Sequence, residues 1–533
     1  MTNAYIIKRY RSPESTKEVL DKLLKGYTSD DYQFFVHVYS STLISLSKGE
    51  DGWVPVSFKL MQSRWGQRVK LSIDRMIQDG LIEVKSLGTF ELKDGTLVPQ
   101  TYSKKDGLSR EFTIHQNVLT GLISWGIQTL EEAKSSKYYD LMTGKIINRD
   151  KEPRFPKRDD KDTKYPPLII GALELIETCT VNIRAIEKHM EKLTDAADRI
   201  FGDGTIKDVK ALAIDNCAYQ QILSNTVKQY GDFVDYRVMF SAEGPQQSGR
   251  VTEAGVGMQN CSRAMKHAGF SDVPGLKNYD LKSSQVWGLI QWFEDANDDA
   301  QWKTKIDTTW STNYLDQDKQ VFADKVGISK DRWKECFLAL VMGAFMKEKV
   351  TVEDFAPVKV ITKVKGDLVE TDAAPSKALF NCFYEEALGD AELALSYYKK
   401  FYEVVRPLKA SIDNWQDWLI KRYLVKHSVY PRGVHKVINV TGASFDLTPY
   451  KDAKGELKDV NTLKRKLSAF FLQGSEAGFI HHLTILSTTY EFRCINNQHD
   501  GLVTIGEIPQ EAVDIARQRS GLRYAKLEEK GFL

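Results

Sequence analysis

The sequence predicts an α+β protein of several domains, and three observations carry that prediction. The N-terminal part alternates helical and strand-like segments around a polar loop. Residues 168–235 show apolar residues at helical spacing over long runs. Two short strand-like segments far apart in the chain, NYDL at 278–281 and INNQHDGLVTI at 495–505, each carry an Asp next to a turn or a helix start. With 533 residues the chain is long enough for about two to four domains and a sizeable core.

Residues 30–47, DDYQFFVHVYSSTLISLS, read as an amphipathic helix opened by an acidic cap. Further on, Val69, Ile73, Met76 and Ile77 recur at helical spacing, and Gly80 stops that helix. LIEV at 81–84 reads as a strand. A polar loop with Gly88, Asp94 and Gly95 follows, and SREFTIHQ at 109–116 reads as the returning strand. That is the order of a winged helix. Arg64, Arg68, Lys70 and Arg75 lie along the polar side of its second long helix, where a DNA-reading helix carries cations. The same residues also suit a solvated basic face on a protein-docking module. INRDKEPRFPKRDDKDTKYPPL at 147–168 mixes charge with proline and reads as exposed linker, so the winged helix with its linker takes residues 1–150. Residues 168–235 read as two long helices, packed as an antiparallel pair.

Composition narrows the class. Charged residues make up 27% and hydrophobic ones 42%, ordinary values for a soluble protein, and the formal net charge of +2 leaves local basic patches free to bind nucleic acid. The six cysteines occur singly, which argues against structural zinc and for a reducing compartment. The N-terminal MTNAYIIKRYRSPEST lacks the apolar stretch of a signal peptide, and no apolar run is long enough to span a bilayer. A cytoplasmic location, in a bacterial or phage-infected cell, and no membrane partner are therefore expected.

Four blocks carry chemistry: SGRVTEAGVGMQN (248–260), NYDLKSSQVWGLI (278–290), KDRWKECFLALVMG (330–343) and RKLSAFFLQGSEAGFIHHLTIL (465–486), the last leading to QHDGLV (498–503). Asp280 ends a strand before a helix start, and Asp500 sits at a hairpin tip between apolar strands. Two carboxylates at strand ends can meet on one sheet and bridge two divalent metals, the arrangement used for in-line phosphoryl displacement. Lys330, Arg332 and Lys334 open a helix and suit a triphosphate, while Leu338 and Met342 share the Lys334 face and suit a base.

Taken together and in order, the blocks resemble the palm and fingers of DNA polymerase family A, a superfamily shared with phage-type single-subunit RNA polymerases. The resemblance covers residues 165–533. It implies a right-hand polymerase fold after the winged helix: a thumb-like helical region at 165–240, palm at 241–285, fingers with an insertion at 286–460, and palm again at 461–533. SGRVTEAGVGMQN looks like the family's TGRLSS…LQN segment, so Arg250, Gln259 and Asn260 would face primer-template DNA. NYDLKSSQ looks like motif A, which makes Asp280 and the Leu281 carbonyl metal ligands. Lys334 stands eight and nine residues before Met342-Gly343, as the motif B Lys stands before its Tyr-Gly, and would hold the incoming triphosphate with Lys330 and Arg332. Arg465 and Gln473 fall in register with template-primer contacts of the family's QG helix. QHDGLV looks like motif C, with His499 at the primer terminus and Asp500 as the second metal carboxylate.

The resemblance thus implies a DNA-dependent DNA polymerase that uses two Mg²⁺ ions, or Mn²⁺ in their place. It implies DNA template, primer and nucleoside triphosphates as partners, with other replication proteins around it. The chain departs from the family at several sites. Lys330 replaces the motif B Arg, Met342 replaces the Tyr, and Leu338 takes the preceding ring position. Gln285 replaces the Glu that screens against ribose, Gly501 replaces the motif C Glu, and Ala469 replaces an Asn before the QG segment. These departures leave RNA polymerase or primase as the alternative, and a non-catalytic replication initiator as a further one. Residues 349–377 alternate apolar and polar and read as an inserted β-hairpin, followed by a helical stretch rich in aromatic and basic residues at 393–426. No Asp-x-Glu pair sits on a convincing strand in the first 150 residues, so no proofreading activity is expected. The fused winged helix points to a phage, plasmid or other mobile replicon.

Overall fold

The computed structural model describes residues 11–47, 52–56, 65, 69–85, 88–91, 97–100, 110–126, 128–147, 164–200, 206–241, 244–356, 358–364, 367–373, 375, 377–425, 436–451 and 457–532. The fold is α+β, with long helices and small antiparallel sheets.

The N-terminal part runs β1 (Arg11–Pro13), α1 (Glu14–Leu23), α2 (Ser29–Ser47), β2 (Val54–Val56), α3 (Val69–Gln78), β3 (Ile82–Val84), β4 (Gly88–Glu91), β5 (Leu97–Gln100) and β6 (Arg110–Ile114). It closes with α4 (Gln116–Gly126), α5 (Leu130–Ser135), β7 (Tyr138–Asp140) and β8 (Lys145–Ile146). β6 lies between β2 and β3, and β4 pairs with β5 as a wing. Phe34 of α2 holds these layers together: its ring packs edge-on against Trp65 at 5.3 Å and Phe112 at 5.5 Å. Edge-on pairs of this kind add about 0.5–1.5 kcal/mol to the burial of the rings.

Next come α6 (Pro167–Leu175), β9 (Thr178–Asn182), α7 (Ile183–Ile200), α8 (Ile206–Asn225), β10 (Thr226–Tyr230) and β11 (Phe233–Arg237). The two long helices read from the sequence are there, but a three-stranded sheet, β10-β11-β9, frames them. Each strand has five residues. Such short strands, flanked by helix, do not break the helical periodicity that the sequence reading followed.

Four strands form the sheet that matters most here: β12 (Leu276–Leu281), β17 (Arg493–Asn497), β18 (Gly501–Ile505) and β19 (Leu527–Glu529), in the order β17-β18-β12-β19, all antiparallel. α9 (Arg263–Phe270) precedes β12, and α10 (Ser284–Asp298), α11 (Thr309–Asp316), α12 (Lys319–Val326) and α13 (Lys330–Val341) follow it. β13 (Val358–Val364) and β14 (Asp367–Ala373) form the hairpin that the alternating pattern predicts. α14 (Ala378–Glu386), the long α15 (Ala391–Ile420), the pair β15 (Lys436–Ile438) and β16 (Ser444–Asp446), α16 (Val460–Leu486) and, after the β17–β18 hairpin, α17 (Gln510–Ser520) complete the described elements. Asp390 starts α15 by accepting from the backbone N–H groups of Glu392 and Leu393.

Two apolar cores result. One runs from Leu20 through the four-stranded sheet to Ala525, so the N-terminal part and the sheet share it. The other holds α10–α15. α16 is the axle between them. Its first half gives Leu463, Leu467, Phe470, Phe471 and Leu472 to the second core, and its last half gives Phe479, Ile480, Leu483 and Leu486 to the first. The switch falls on Gln473–Gly478. Among the described residues no helix is long and apolar enough to cross a membrane.

A candidate two-carboxylate site at the sheet edge

Antiparallel pairing of β12 with β18 sets Asp280 opposite Gly501, and the Leu281 N–H donates to the Asp500 carbonyl at 2.9 Å. Asp280 and Asp500, far apart in sequence, thereby become neighbours at one end of the sheet. The alternation of a strand does the rest: Tyr279 and Leu281 are buried, and Asp280 between them faces the other way, half-buried.

The hairpin tip is stiff. The Asp500 N–H donates to the Gln498 carbonyl at 3.0 Å, closing a γ-turn around His499, whose φ is +70°. That is the rare, strained hand of the turn, and it persists because side chains stake it. The His499 N–H donates to Asn497 Oδ1 at 2.9 Å, Gln259 Nε2 donates to the Asn497 carbonyl at 2.8 Å, and Lys266 Nζ reaches Gln498 Oε1 at 3.3 Å. Gly501 has no room for a side chain, since a Cβ there would lie 2.3 Å from the Tyr279 carbonyl oxygen. Any side chain at this position is therefore sterically excluded by the approach of β12.

Behind the pair lies a buried polar cluster. Arg250 Nη2 meets Glu476 Oε2 at 2.5 Å, and the Ser284 hydroxyl donates to Glu476 Oε1. Burial pushes the Glu476 carboxyl above its ordinary value, Arg250 and Ser284 pull it back, and Asp500 adds to the rise. Burial likewise raises Asp280, the Lys530 ammonium opposes this, and the nearby Asp500 charge raises it further. The His499 imidazole is pushed down to about 4 by burial and by the Arg250 and Lys266 charges, so it is neutral at neutral pH. Burial lowers Lys266 as well, against the pull of acidic neighbours that include Asp500.

The SGR loop, the β15–β16 turn and α16 interlock beside this cluster. Asn439 Nδ2 donates to the Ser248 carbonyl at 2.8 Å, and His481 Nε2 lies 3.0 Å from the Gly249 carbonyl oxygen. Gly474 makes this possible, because a Cβ there would sit 2.3 Å from Asn439 Nδ2. Gln259 is spent inside the fold. Its amide donates to the Val251 carbonyl at 2.9 Å as well as to Asn497, and accepts from the Glu253 N–H at 2.7 Å. It ties the loop to the hairpin, and both of its amide N–H groups are used inside the fold. Asn260 is half-buried beside it.

α13 carries the basic residues of the third block. Ser329 caps it by accepting from the Arg332 N–H at 3.3 Å. Trp333 and Phe337 anchor its inner face in an aromatic stack, with Phe337 4.2 Å from Tyr314 and Trp333 5.4 Å from Phe322. Lys334 and Leu338 consequently face solvent, at 52% and 44% exposure. Lys334 pairs with Asp331 at 3.0 Å and Lys330 with Asp318 at 2.9 Å. Arg332 is caged by Glu335, Glu385 and Glu386 at 2.8, 3.1 and 3.4 Å. It braces α13 on α14, so its guanidinium is not presented with Lys330 and Lys334. Met342 closes the helix, and its sulfur lies 3.7 Å from Gln473 Nε2 on α16. Arg465, near the start of α16, reaches Asn461 and Thr462 and lies 5.8 Å from the Phe345 ring. Gln285 sits in the first turn of α10, half-buried.

In the N-terminal part, Arg64 and Arg68 lie outside the described residues. Lys70 is exposed on α3. Arg75 is engaged locally: it donates to the Gly26 carbonyl at 3.2 Å, lies 3.5 Å from Asp79 and stacks 4.2 Å over the Tyr27 ring.

Glu476, Ser284, Lys266 and Lys530 are absent from the sequence-derived set. Glu476 had a signal: it is the one ionisable residue in FFLQGSEAGFI, a mostly apolar or small stretch, and a buried carboxylate needs a partner. Lys530 had none, because strand pairing alone brings it to Asp280.

No protein-family model matches the chain, and no curated protein does. Among solved structures it is similar to the POL domain of Pol1 from M. smegmatis in complex with DNA primer-template and dNTP. That alignment has 12% identity, covers 69% of this chain and 70% of that one, and has a TM-score of 0.40.

Proposed function

We propose that the chain is a template-directed nucleotidyltransferase, a DNA-dependent DNA polymerase in which the four-stranded sheet is the palm and α10–α14 belong to the fingers. One observation carries the reading: Asp280 and Asp500 stand side by side on adjacent strand ends, the second on a strained turn that buried side chains hold in place. Such a pair fits divalent cations. Carboxylate and carbonyl oxygens are hard donors, and two like charges this close call for a counter-ion. Magnesium needs no larger protein cage, since substrate phosphates and water complete its shell. Among the described residues no group of three or more His, Cys, Asp or Glu is set to hold a metal.

Asp280, Asp500 and the Leu281 carbonyl would hold the ions. When bound, Mg²⁺ supplies activation of the primer 3′-hydroxyl and neutralisation of the charge that builds on the phosphates. The chain's own residues do the positioning. Neutral His499, near the Arg250 charge, would sit at the primer terminus beside Asp500. Lys334, with Lys330, would leave its exposed acidic partner for the triphosphate, and Leu338 and Met342 would cover the base. Asn260, Arg465 and Gln473 would line the template-primer, and Lys70 and the neighbouring α3 surface would touch DNA upstream.

Gln285 in place of a carboxylate favours a second reading, an RNA polymerase or primase, because the screen against ribose is changed. Extension of primed DNA with Mg²⁺ and dNTPs, beside NTPs and unprimed template, tests both. Extension with dNTPs alone supports the first reading. Extension with NTPs from unprimed template replaces it with the second, and no incorporation with either overturns both.

A further inference from the structure

Lys530 lies just past β19 and makes an ion pair with Asp280 Oδ2. β19 runs beside β12 with Glu528 opposite Asp280. Residues two apart on a strand share a face, so Glu528 and Lys530 both stand on the Asp280 side of the sheet. Glu528 has its own cation, Lys282, at 2.6 Å.

The pair contributes little to holding the strand. The Lys530 N–H already donates to the Asn278 carbonyl at 2.8 Å, and the Lys282 N–H donates to the Lys526 carbonyl at 2.8 Å. The Lys530 side chain is 50% exposed, and an ion pair at such a site is worth about 0–1 kcal/mol. What the ammonium does is place a positive charge on Asp280, whose neighbours include the acidic Asp500 and Glu528.

We propose that Lys530 is a built-in stand-in for the divalent cation: it occupies Asp280 in the metal-free protein and must be displaced when the ion binds. The inference rests on the two-carboxylate reading of the site. Lys530 is a positioning residue here and touches neither substrate nor reacting atoms. A long, flexible side chain on an edge strand can leave without moving the backbone, and Glu528, on the same face, is the acceptor nearest along the strand. The consequence is a metal site with a threshold. Ion affinity is lowered modestly by the cost of moving a like charge.

The test is Mn²⁺ binding to the full chain, read as free Mn²⁺ by electron paramagnetic resonance at fixed pH and salt. Lys530→Gln should bind about threefold more tightly than the wild type, the size expected for losing one exposed competing pair. Lys530→Arg should stay at the wild-type value, because the charge is kept. Unchanged or weaker binding in Lys530→Gln, with a wild-type melting curve, overturns the proposal. Asp500→Asn separates the two claims. If it removes binding while Lys530→Gln has no effect, the metal site stands and the stand-in falls. If neither the wild type nor Lys530→Gln binds Mn²⁺ in a way that depends on Asp500, both fall.

Discussion

The sheet edge and helix α13 present opposite charge, acidic at Asp280 and Asp500 and basic at Lys330 and Lys334, and they are built in opposite ways. At the sheet edge, polar groups are fixed by partners far away in sequence: Arg250 on Glu476, Gln259 on Asn497, Leu281 on Asp500. On α13 the outward cations are held by near neighbours, Lys334 on Asp331 and Lys330 on Asp318, and they remain exposed. Buried pairs fix geometry and are costly to disturb, whereas exposed local pairs are cheap to break. Under the proposed function, the sheet edge would be a rigid catalytic floor and α13 a wall whose cations change partner when substrate arrives.

Breaking the floor should therefore cost stability, and breaking the wall should not. The largest effect is expected for Arg250→Met, which leaves the Glu476 carboxylate buried without its cation; unfolding by denaturant should show a loss of about 3–5 kcal/mol. Gly501→Ala comes next. Its Cβ meets backbone rather than a flexible side chain, so β12 and β18 must separate, and the same measurement should show a loss of about 1–3 kcal/mol. Lys334→Ala should change stability by no more than about 0.5 kcal/mol. In that variant the KM for nucleotide should rise about tenfold, in steady-state extension assays, since the lost interaction is one charge-assisted contact to phosphate. A Lys334→Ala variant as destabilised as Arg250→Met would erase the distinction between floor and wall.

The sequence made some of this legible and hid the rest for physical reasons. The helix and strand order of the N-terminal part, the 358–373 hairpin and the strand-then-helix around Asp280 could be read because each is a local pattern of period or punctuation. The meeting of Asp280 and Asp500 was legible only through the order of the blocks, because no local pattern encodes strand pairing over that distance. The β9–β11 sheet was missed where five-residue strands lie between helices. Gln259 looked like a ligand residue and is a buried tie. Arg332 looked like a phosphate residue and is a brace, since the acidic residues that cage it on α14 lie some fifty positions away. Gly501 reads as standing in place of a carboxylate, and in the structure the backbone of β12 leaves no room there for any side chain.

The central claim is that Asp280 and Asp500 act as one metal-dependent centre. The direct measurement is single-turnover nucleotide incorporation on primed DNA in Mg²⁺, comparing the wild type with Asp280→Asn and Asp500→Asn, with DNA affinity and melting temperature measured alongside. The account predicts that each variant folds, binds DNA and loses incorporation by at least about a thousandfold, the scale on which removing a key charge-stabilising group acts. A variant that incorporates within tenfold of the wild type would contradict it.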